Sequence, residues 1–203
     1  MKRGIVVFMI CLFVLCAASV AFAAEARTSG LFTYEIKGNG TAVITDYDWK
    51  KHGKEDLYIP NMLDGYTITG IGDSAFQKQA EAKKGYYYLD YEIMAKLPES
   101  IVTIGEKAFF GCDFIKAINI PASVKIIGAG AFASTGIICN VDSQNDTFAT
   151  IDDVLYNKKD RELMFVPKGN ATLLEETFEI PNGIESVGEY AFYYVNRNQL
   201  TFV

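Results

Sequence analysis

Few side chains of this 203-residue sequence are of the kinds that catalyse reactions. His52 is the only histidine, and it lies in a polar stretch, residues 49–56, that predicts a solvated loop. Asp46 and Asp48 stand two positions apart, but acid–base catalysis would need a cleft that raises the pKa of one of them. No pattern indicates such a cleft, so the sequence predicts neither an enzyme nor a cofactor site.

Possible oxygen ligands for a cation are gathered in one short stretch. Asp142, Asn145, Asp146, Asp152 and Asp153 could supply the carboxylate and amide oxygens that calcium prefers. Their spacing does not follow a calcium-binding loop, and the same residue types are typical of β-turns. We therefore expect hairpin turns here and no metal site.

The overall composition is that of a folded, acidic protein. Half of the residues are hydrophobic, 22% are charged, and the formal net charge is -6. Such a chain can bury a core, but it has no excess of cations to neutralise the phosphates of a nucleic acid. We therefore expect no nucleic-acid partner.

The first 23 residues have the pattern of a secretory signal peptide. Lys2 and Arg3 precede an apolar run over residues 5–20, and Ala21 and Ala23 supply the small residues that signal peptidase requires. We predict cleavage after Ala23, which removes two cations, and contact with the membrane only before cleavage. The alternative is a retained transmembrane anchor, because the run is only slightly shorter than the roughly 20 residues that span a bilayer.

Two cysteines, Cys112 and Cys139, remain in the part of the chain expected to be exported. In an oxidising compartment they could form one disulfide. They could equally remain thiols, because a chain of this length can bury a core without disulfides and unpaired cysteines are among the most buried residues. We expect two buried thiols, with the disulfide as the alternative.

A six-residue pattern, [Ile/Val]-Gly-x-x-Ala-Phe, occurs four times in the chain. Its copies end at Phe76, Phe109, Phe132 and Phe192. Alternating segments such as Ile118-Asn119-Ile120 predict short strands with two side chains inward and one outward. The repeat therefore predicts a solenoid with a parallel sheet along one face. Stacking of its coils buries the apolar side chains that a single coil would leave exposed.

The repeated positions have distinct expected roles. The four phenylalanines would form one internal ladder through the stacked coils. Glycine permits either a positive φ or a close approach of two backbones, and a tight corner once in each coil would need one of the two.

Residues 97–112, Leu-Pro-Glu-Ser-Ile-Val-Thr-Ile-Gly-Glu-Lys-Ala-Phe-Phe-Gly-Cys, resemble the BspA-type leucine-rich repeat of bacterial surface proteins. The resemblance implies a right-handed repeat solenoid over residues 59–203. Residues 145–167 resemble the β-hairpin insertion of that family, although Asp153 stands where the family usually has glycine. Residues 31–58 resemble its N-terminal β-hairpin cap, so we assign residues 24–58 to a cap.

Two segments depart from the repeat. Residues 77–95 lengthen the first interval, beginning with a helix-forming stretch and continuing with a tyrosine cluster of Tyr86, Tyr87, Tyr88 and Tyr91. These tyrosines either form an exposed binding surface or pack the segment onto the solenoid. Residues 198–203 have the pattern of a strand from a further coil, which would leave an exposed strand edge.

The resemblance implies an exported binding module rather than an enzyme. BspA-type proteins are surface or secreted adhesins, so the expected partner is a host extracellular-matrix protein or another protein or glycan ligand at a cell surface. In related arrays the ligand lies across the strand face, whose outward residues here would be Tyr58, Lys96, Asn119, Asn140 and Glu179. The alternative is a structural module that spaces or assembles a larger surface protein.

Overall fold

The computed structural model describes residues 25–77, 92–169, 178 and 180–193. Within these ranges the chain forms strands and turns, and no helix. The strands are β1 (Ala26–Ser29), β2 (Phe32–Gly38), β3 (Thr41–Tyr47), β4 (Leu57–Tyr58), β5 (Met62–Leu63), β6 (Tyr66–Ile71), β7 (Ile93–Lys96), β8 (Thr103–Ile104), β9 (Ile115–Ile120), β10 (Ile126–Ile127), β11 (Ile138–Val141), β12 (Phe148–Ile151), β13 (Val154–Asn157), β14 (Glu162–Phe165) and β15 (Ser186–Val187).

Three sheets contain these strands. Sheet A has the order β1-β2-β3-β6-β8-β10 with β5 beside β6, sheet B has the order β11-β9-β7-β4, and sheet C has the order β12-β13-β14-β15. From β6 to β11 the chain alternates between sheets A and B, and the strands of successive coils pair in parallel. This is a β-solenoid, so the predicted fold class is confirmed, with two parallel sheets where the sequence predicted one.

The repeated glycine is required by the close approach of neighbouring coils. A Cβ atom on Gly105 would lie 2.5 Å from the backbone nitrogen of Asp73, and one on Gly128 would lie 2.5 Å from that of Glu106. Neither glycine has a positive φ. Of the two reasons that the sequence offered for glycine, the close approach of backbones is therefore the one that applies.

The positive φ of each corner occurs two residues after that glycine. Ser74, Lys107 and Tyr190 have φ values of 57°, 53° and 66° at this position, and Gly130 has 63°. The left-handed conformation costs a residue with a side chain about 1–2 kcal/mol. At three of the four corners, the packing of the coil therefore offsets a local strain.

Three of the four predicted ladder phenylalanines stack in the core. The ring centroids of Phe76 and Phe109 are 4.9 Å apart with an interplanar angle of 9°, and those of Phe109 and Phe132 are 5.8 Å apart at 14°. All three side chains are buried. The ring that follows Phe132 is that of Phe165, at 5.9 Å and 49°.

The prediction that Phe192 continues this ladder is wrong. Its ring packs edge-on against Phe178, with centroids 5.4 Å apart, at the margin of a second hydrophobic cluster. The buried members of that cluster are Val154, Tyr156, Leu163, Val166, Phe178 and Ala191. Since β14 pairs with β15 and supplies Phe165, the inserted hairpin occupies the place that the repeat pattern assigns to Phe192.

Both predicted hairpins are present. Strands β2 and β3 pair antiparallel, and β3 pairs in parallel with β6, so the cap is the first layer of sheet A. Strands β13 and β14 also pair antiparallel, and Asp153 has a φ of 63°, the conformation that glycine adopts most readily. The sequence did not predict β1 and β12, which extend these two hairpins by one strand each.

Both cysteines are buried, and they are not joined in a disulfide. The Cys112 thiol donates a hydrogen bond to the backbone oxygen of Phe76, with an Sγ–O distance of 3.0 Å. Burial raises the pKa of the Cys139 thiol well above its usual value. Of the two alternatives, buried thiols are confirmed.

Some predictions concern residues outside the described ranges and remain predictions. They are cleavage after Ala23, the strand at 198–203, and the candidate ligand-binding residues Glu179, Tyr86, Tyr87, Tyr88 and Tyr91. The described residues contain no helix of the length and apolar character that a membrane crossing requires.

Candidate ligand-binding face

Four of the predicted strand-face residues form one continuous line across sheet B. In the register of the parallel strands Tyr58 pairs with Lys96, Lys96 with Asn119, and Asn119 with Asn140. All four are exposed. These four residues are called the sheet B row below. The sequence placed each of them correctly on the outward face, and the structure shows that they are neighbours.

The sheet B row results from alternation within each strand. In β9 the side chains of Ile118 and Ile120 are buried, and Asn119 between them is exposed. In β7 Ala95 is buried and Lys96 is exposed. Since adjacent parallel strands lie about 4.8 Å apart, one outward residue from each coil gives a regularly spaced series of side chains.

Within the sheet B row, polar groups face solvent and make few contacts. Tyr58 is 63% exposed. The amide nitrogen Nδ2 of Asn140 donates to Oδ1 of Asn119 at 3.3 Å. Lys96 makes no ion pair with any residue in the described ranges. The row therefore offers an aromatic ring, an ammonium group and two amides to a ligand.

A second line of residues borders the sheet B row. Met94 is 40% exposed, and its backbone nitrogen donates to Oδ1 of Asp56 at 2.8 Å. Beside it, Nζ of Lys116 forms an ion pair with Oε2 of Glu92 at 2.9 Å. Lys116 is thus paired within the protein, whereas Lys96 has no ion pair in the described ranges.

The polar loop expected around His52 is present and largely exposed, but His52 itself contacts other residues of the cap. Its side chain is half-buried, with Nδ1 2.6 Å from the hydroxyl of Tyr47 and Nε2 3.0 Å from the backbone oxygen of Glu55. The ring also packs edge-on against Trp49, whose Nε1 donates to the backbone oxygen of Phe76. His52 therefore orders this end of the cap, and Trp49 joins the cap to the first coil.

The expected turn residues have structural roles. Asn145 is buried, and its Nδ2 donates to the backbone oxygens of Pro121 and Val124 at 2.9 and 3.1 Å. Its Oδ1 accepts from the backbone nitrogens of Thr147 and Phe148 at 2.9 and 2.8 Å. Among the described residues no group of carboxylate, histidine and cysteine side chains could hold a metal ion.

One set of contacts at the corners was not visible in the sequence. Nζ of Lys107 lies 4.6 Å from the ring centroid of Tyr190, and it forms an ion pair with Oε1 of Glu106 at 2.7 Å. The hydrogen bonds with Glu106 and then with Tyr190 raise the pKa of Lys107 to about 12. The contact joins residues 83 positions apart in the chain, so no local pattern could have revealed it.

Sheet A and sheet C are separated by a small cavity. It has a volume of about 110 Å³ and lies between the corner at Gly128 and Gly130 and the hairpin residues Glu162 and Met164. A space of this size holds a few water molecules and is smaller than typical ligand pockets of about 300–1,000 Å³. This cavity is therefore too small to be the candidate ligand site.

The fold and its repeat define a leucine-rich-repeat β-solenoid. The family described as "BspA type Leucine rich repeat region" matches residues 71–178 and 169–203, with six copies. These ranges include well over half of the chain, so the chain belongs to the BspA-type leucine-rich repeat family. A comparison with curated proteins found no match.

Several solved structures are similar to this chain. A leucine-rich repeat protein from Eubacterium ventriosum is 21% identical with a TM-score of 0.52, and the match covers 86% of this chain and 58% of that one. The pneumococcal vaccine antigen PcpA is 17% identical with a TM-score of 0.41, covering 85% and 63%. A leucine rich cell surface protein from Faecalibacterium prausnitzii is 17% identical with a TM-score of 0.34, covering 79% and 65%. The chain thus spans less than two thirds of each structure. The similarity to the Eubacterium ventriosum protein concerns the fold alone.

Proposed function

We propose that this chain is an exported, non-catalytic binding module of the cell surface and that its ligand lies across the sheet B row. The observation that carries the proposal is the register of sheet B, which aligns four exposed side chains from four strands. A flat sheet face with regularly placed, uncommitted side chains is a surface that a partner can cover. Adhesion to a host extracellular-matrix protein or to another cell-surface ligand would use this surface.

Two further observations support a binding role. The chain belongs to the BspA-type family, whose members are typically surface and binding modules. Two of the groups that the sequence offered for catalysis or metal binding, His52 and Asn145, are engaged in hydrogen bonds within the fold. The sheet B row, in contrast, contributes little to the core and is available to a ligand.

The proposal is tested by measuring whether the exported form of the chain binds immobilised collagen, laminin, fibronectin or a glycan array. We expect at least one probe to bind, and the double variant Tyr58→Ala/Asn119→Ala to weaken that binding about tenfold or more. The matched control is Thr103→Ala/Ile126→Ala, a pair in register on the exposed face of sheet A. Equal losses in both variants, or no loss in the first, would contradict the proposed site.

Export is a separate part of the proposal. Cleavage after Ala23 removes Lys2 and Arg3, and mass analysis of secreted protein measures where the mature chain begins. A start at Ala24 supports export through a cleaved signal peptide. A surface form that retains Lys2 would show instead that the segment is an anchor.

A second candidate function is that of a spacer within a larger surface protein. Val187 stands at the repeat position of Ile71, Ile104 and Ile127, which are buried, yet it is 46% exposed. Within the described part of the chain nothing covers it, as is typical of a coil on which another coil can stack. Fusing a copy of residues 115–137 to the C-terminus should therefore slow amide exchange near Val187, and unchanged exchange would count against this candidate.

A further inference from the structure

We propose that the sheet B row recognises a short glycan that carries one carboxylate sugar. The inference rests on the proposed function, because it names the ligand class of the same site. Its basis is the combination in one line of an ammonium group with no ion pair in the described ranges, an exposed aromatic ring and two amides. Each of these groups suits a different part of such a glycan.

Lys96 indicates the charge of the ligand. It makes no ion pair within the described ranges, whereas its neighbour on the same face, Lys116, is paired with Glu92 at 2.9 Å. An exposed ammonium that no carboxylate of the described residues pairs with is complementary to an anion from outside, and a carboxylate gives the charge-assisted hydrogen bonds that an ammonium favours. The ligand group expected opposite Lys96 is therefore a carboxylate.

The charge of the whole chain limits how many such groups the ligand carries. The formal net charge is -6, and the sheet B row contains one cation. A long polyanion would be repelled by the surrounding surface, because the summed field of a protein acts over its whole face. A glycan with a single acidic sugar can pair with Lys96 and brings no further negative charge to this acidic protein.

Tyr58 is the expected stacking surface for a sugar ring. It is directly opposite Lys96 in the parallel register and 63% exposed. A tyrosine presents a rigid apolar face with a polar tip, and the C–H face of a pyranose ring is apolar in the same way. A sugar stacked on Tyr58 therefore places its substituents within reach of Lys96.

Asn119 and Asn140 supply the groups that hydroxyls require. An amide side chain both donates and accepts, as a sugar hydroxyl does. The single bond between them, Nδ2 of Asn140 to Oδ1 of Asn119 at 3.3 Å, leaves the amide nitrogen of Asn119 and Oδ1 of Asn140 for a ligand. These two residues can therefore bind the neutral part of the glycan.

The dimensions of the sheet B row favour a glycan over a protein. Its four strands span three spacings of about 4.8 Å, or about 14 Å, which suits a chain of about three sugars. Protein interfaces are centred on a cluster of apolar and aromatic side chains. Here Tyr58 is the sole aromatic member of the row, and Met94 is the exposed apolar neighbour on β7.

The test compares acidic glycans with their neutral counterparts by calorimetry or ligand-observed NMR. The pairs are 3′-sialyllactose with lactose, and a glucuronate-terminated trisaccharide with its glucose-terminated equivalent. At least one acidic glycan should bind about tenfold more tightly than its counterpart, and Lys96→Gln should abolish the difference. Lys168→Gln is the control, since Lys168 is an exposed lysine beyond sheet B that lies 3.8 Å from Asp113.

The outcomes separate this inference from the proposed function. If neither acidic glycan binds better than its counterpart, while a protein or neutral glycan binds through Tyr58 and Asn119, the inference is overturned and the proposed function stands. If no probe binds through the sheet B row, both fail. If the acidic glycan still binds more tightly than its neutral counterpart in Lys96→Gln, the inference is also overturned. An unchanged melting temperature shows that this surface variant is folded.

Discussion

In the regular part of the solenoid the atoms nearest to the repeated glycine belong to the backbone of the preceding coil, whereas in the last coil the nearest atom belongs to a side chain. Gly105 lies against the backbone of Asp73, so that a Cβ would come within 2.5 Å of its nitrogen. At the corresponding position of the last coil, a Cβ on Gly188 would lie 2.9 Å from Oε1 of Glu162. A side chain can rotate away and a backbone cannot, so the two regions differ in how much disturbance they tolerate.

The difference arises where the hairpin is inserted. Sheet A ends at β10, and β14 pairs with β15 in sheet C. The ring of Tyr190 reaches across this break, close to Gly130 and over Nζ of Lys107. The comparison shows that a solenoid can accept a hairpin between coils when the hairpin strand β14 pairs with the next coil through its backbone, as in the bond from the Gly188 nitrogen to the Leu163 oxygen at 2.8 Å.

The largest expected effect distinguishes the two hydrophobic clusters. Phe109→Ala removes a buried ring between two stacked neighbours, and we expect a loss of about 3–5 kcal/mol in the free energy of unfolding. Phe192→Ala should cost less than half as much, because that ring is only partly buried at the margin of the second cluster. Urea unfolding of both variants measures the difference, with the exposed Tyr58→Ala as control. Equal losses for Phe109 and Phe192 would mean that the two regions are packed alike.

A smaller effect is expected from alanine at the repeated glycines. Gly105→Ala forces two backbones apart and should destabilise by about 1–3 kcal/mol, as overpacking does. Gly188→Ala should cost well under half of that, because Glu162 can move. Gly53→Ala is the control, since a Cβ there would meet no atom within 4 Å. The contrast between backbone and side-chain contacts is refuted if Gly188→Ala proves as damaging as Gly105→Ala in thermal melting.

The smallest effect concerns pH at the junction of the regions. Nζ of Lys125 lies 2.7 Å and Nζ of Lys159 3.6 Å from Oδ1 of Asp146, so this carboxylate joins the third coil to the hairpin turn. The hydrogen bond from Lys125 and then that from Thr147 lower the pKa of Asp146 below its ordinary value of 3.8. A lowered pKa adds stability above pH 3.8 that is lost as the pH falls further.

Asp146→Asn should therefore reduce the melting temperature at pH 6 and flatten its decline between pH 4 and pH 2. Because the group is exposed, added salt should shrink the difference from the parent chain. A variant whose melting temperature follows the same pH curve as the parent would show that the carboxylate contributes nothing at this junction.

The regular coils could be predicted from sequence because their pattern is local and repeated. The alternation around Asn119 and Lys96 determines which side chains face outward, and the short repeat interval aligns them across sheet B. The positions of Tyr58 and Asn140 in the same row follow from the same rule. What the pattern could not give is the ion pair of Lys116, which distinguishes it from Lys96, a lysine of the same face with no ion pair among the described residues.

The ladder prediction fails where a contact depends on a distant part of the chain. Phe192 has the same local pattern as Phe132, but the inserted hairpin supplies Phe165 and displaces it from the ladder. His52 lies in a polar stretch, yet Tyr47 and the backbone of Glu55 hold it at the edge of the cap. For Phe192 a distant partner overrides a correct local pattern, whereas the partners of His52 are close to it in the sequence.

The central claim, that the hairpin continues the core of the regular stack, is tested most directly by two double-mutant cycles. One pairs Phe132→Leu with Phe165→Leu, and the other pairs Phe132→Leu with Phe192→Leu, with free energies of unfolding measured for each variant. Aromatic neighbours are coupled by about 0.5–1.5 kcal/mol, and distant residues add within about 0.5 kcal/mol. The structure predicts coupling for Phe132 with Phe165 and additivity for Phe132 with Phe192. The reverse result would contradict it and restore the uninterrupted ladder that the repeat alone predicts.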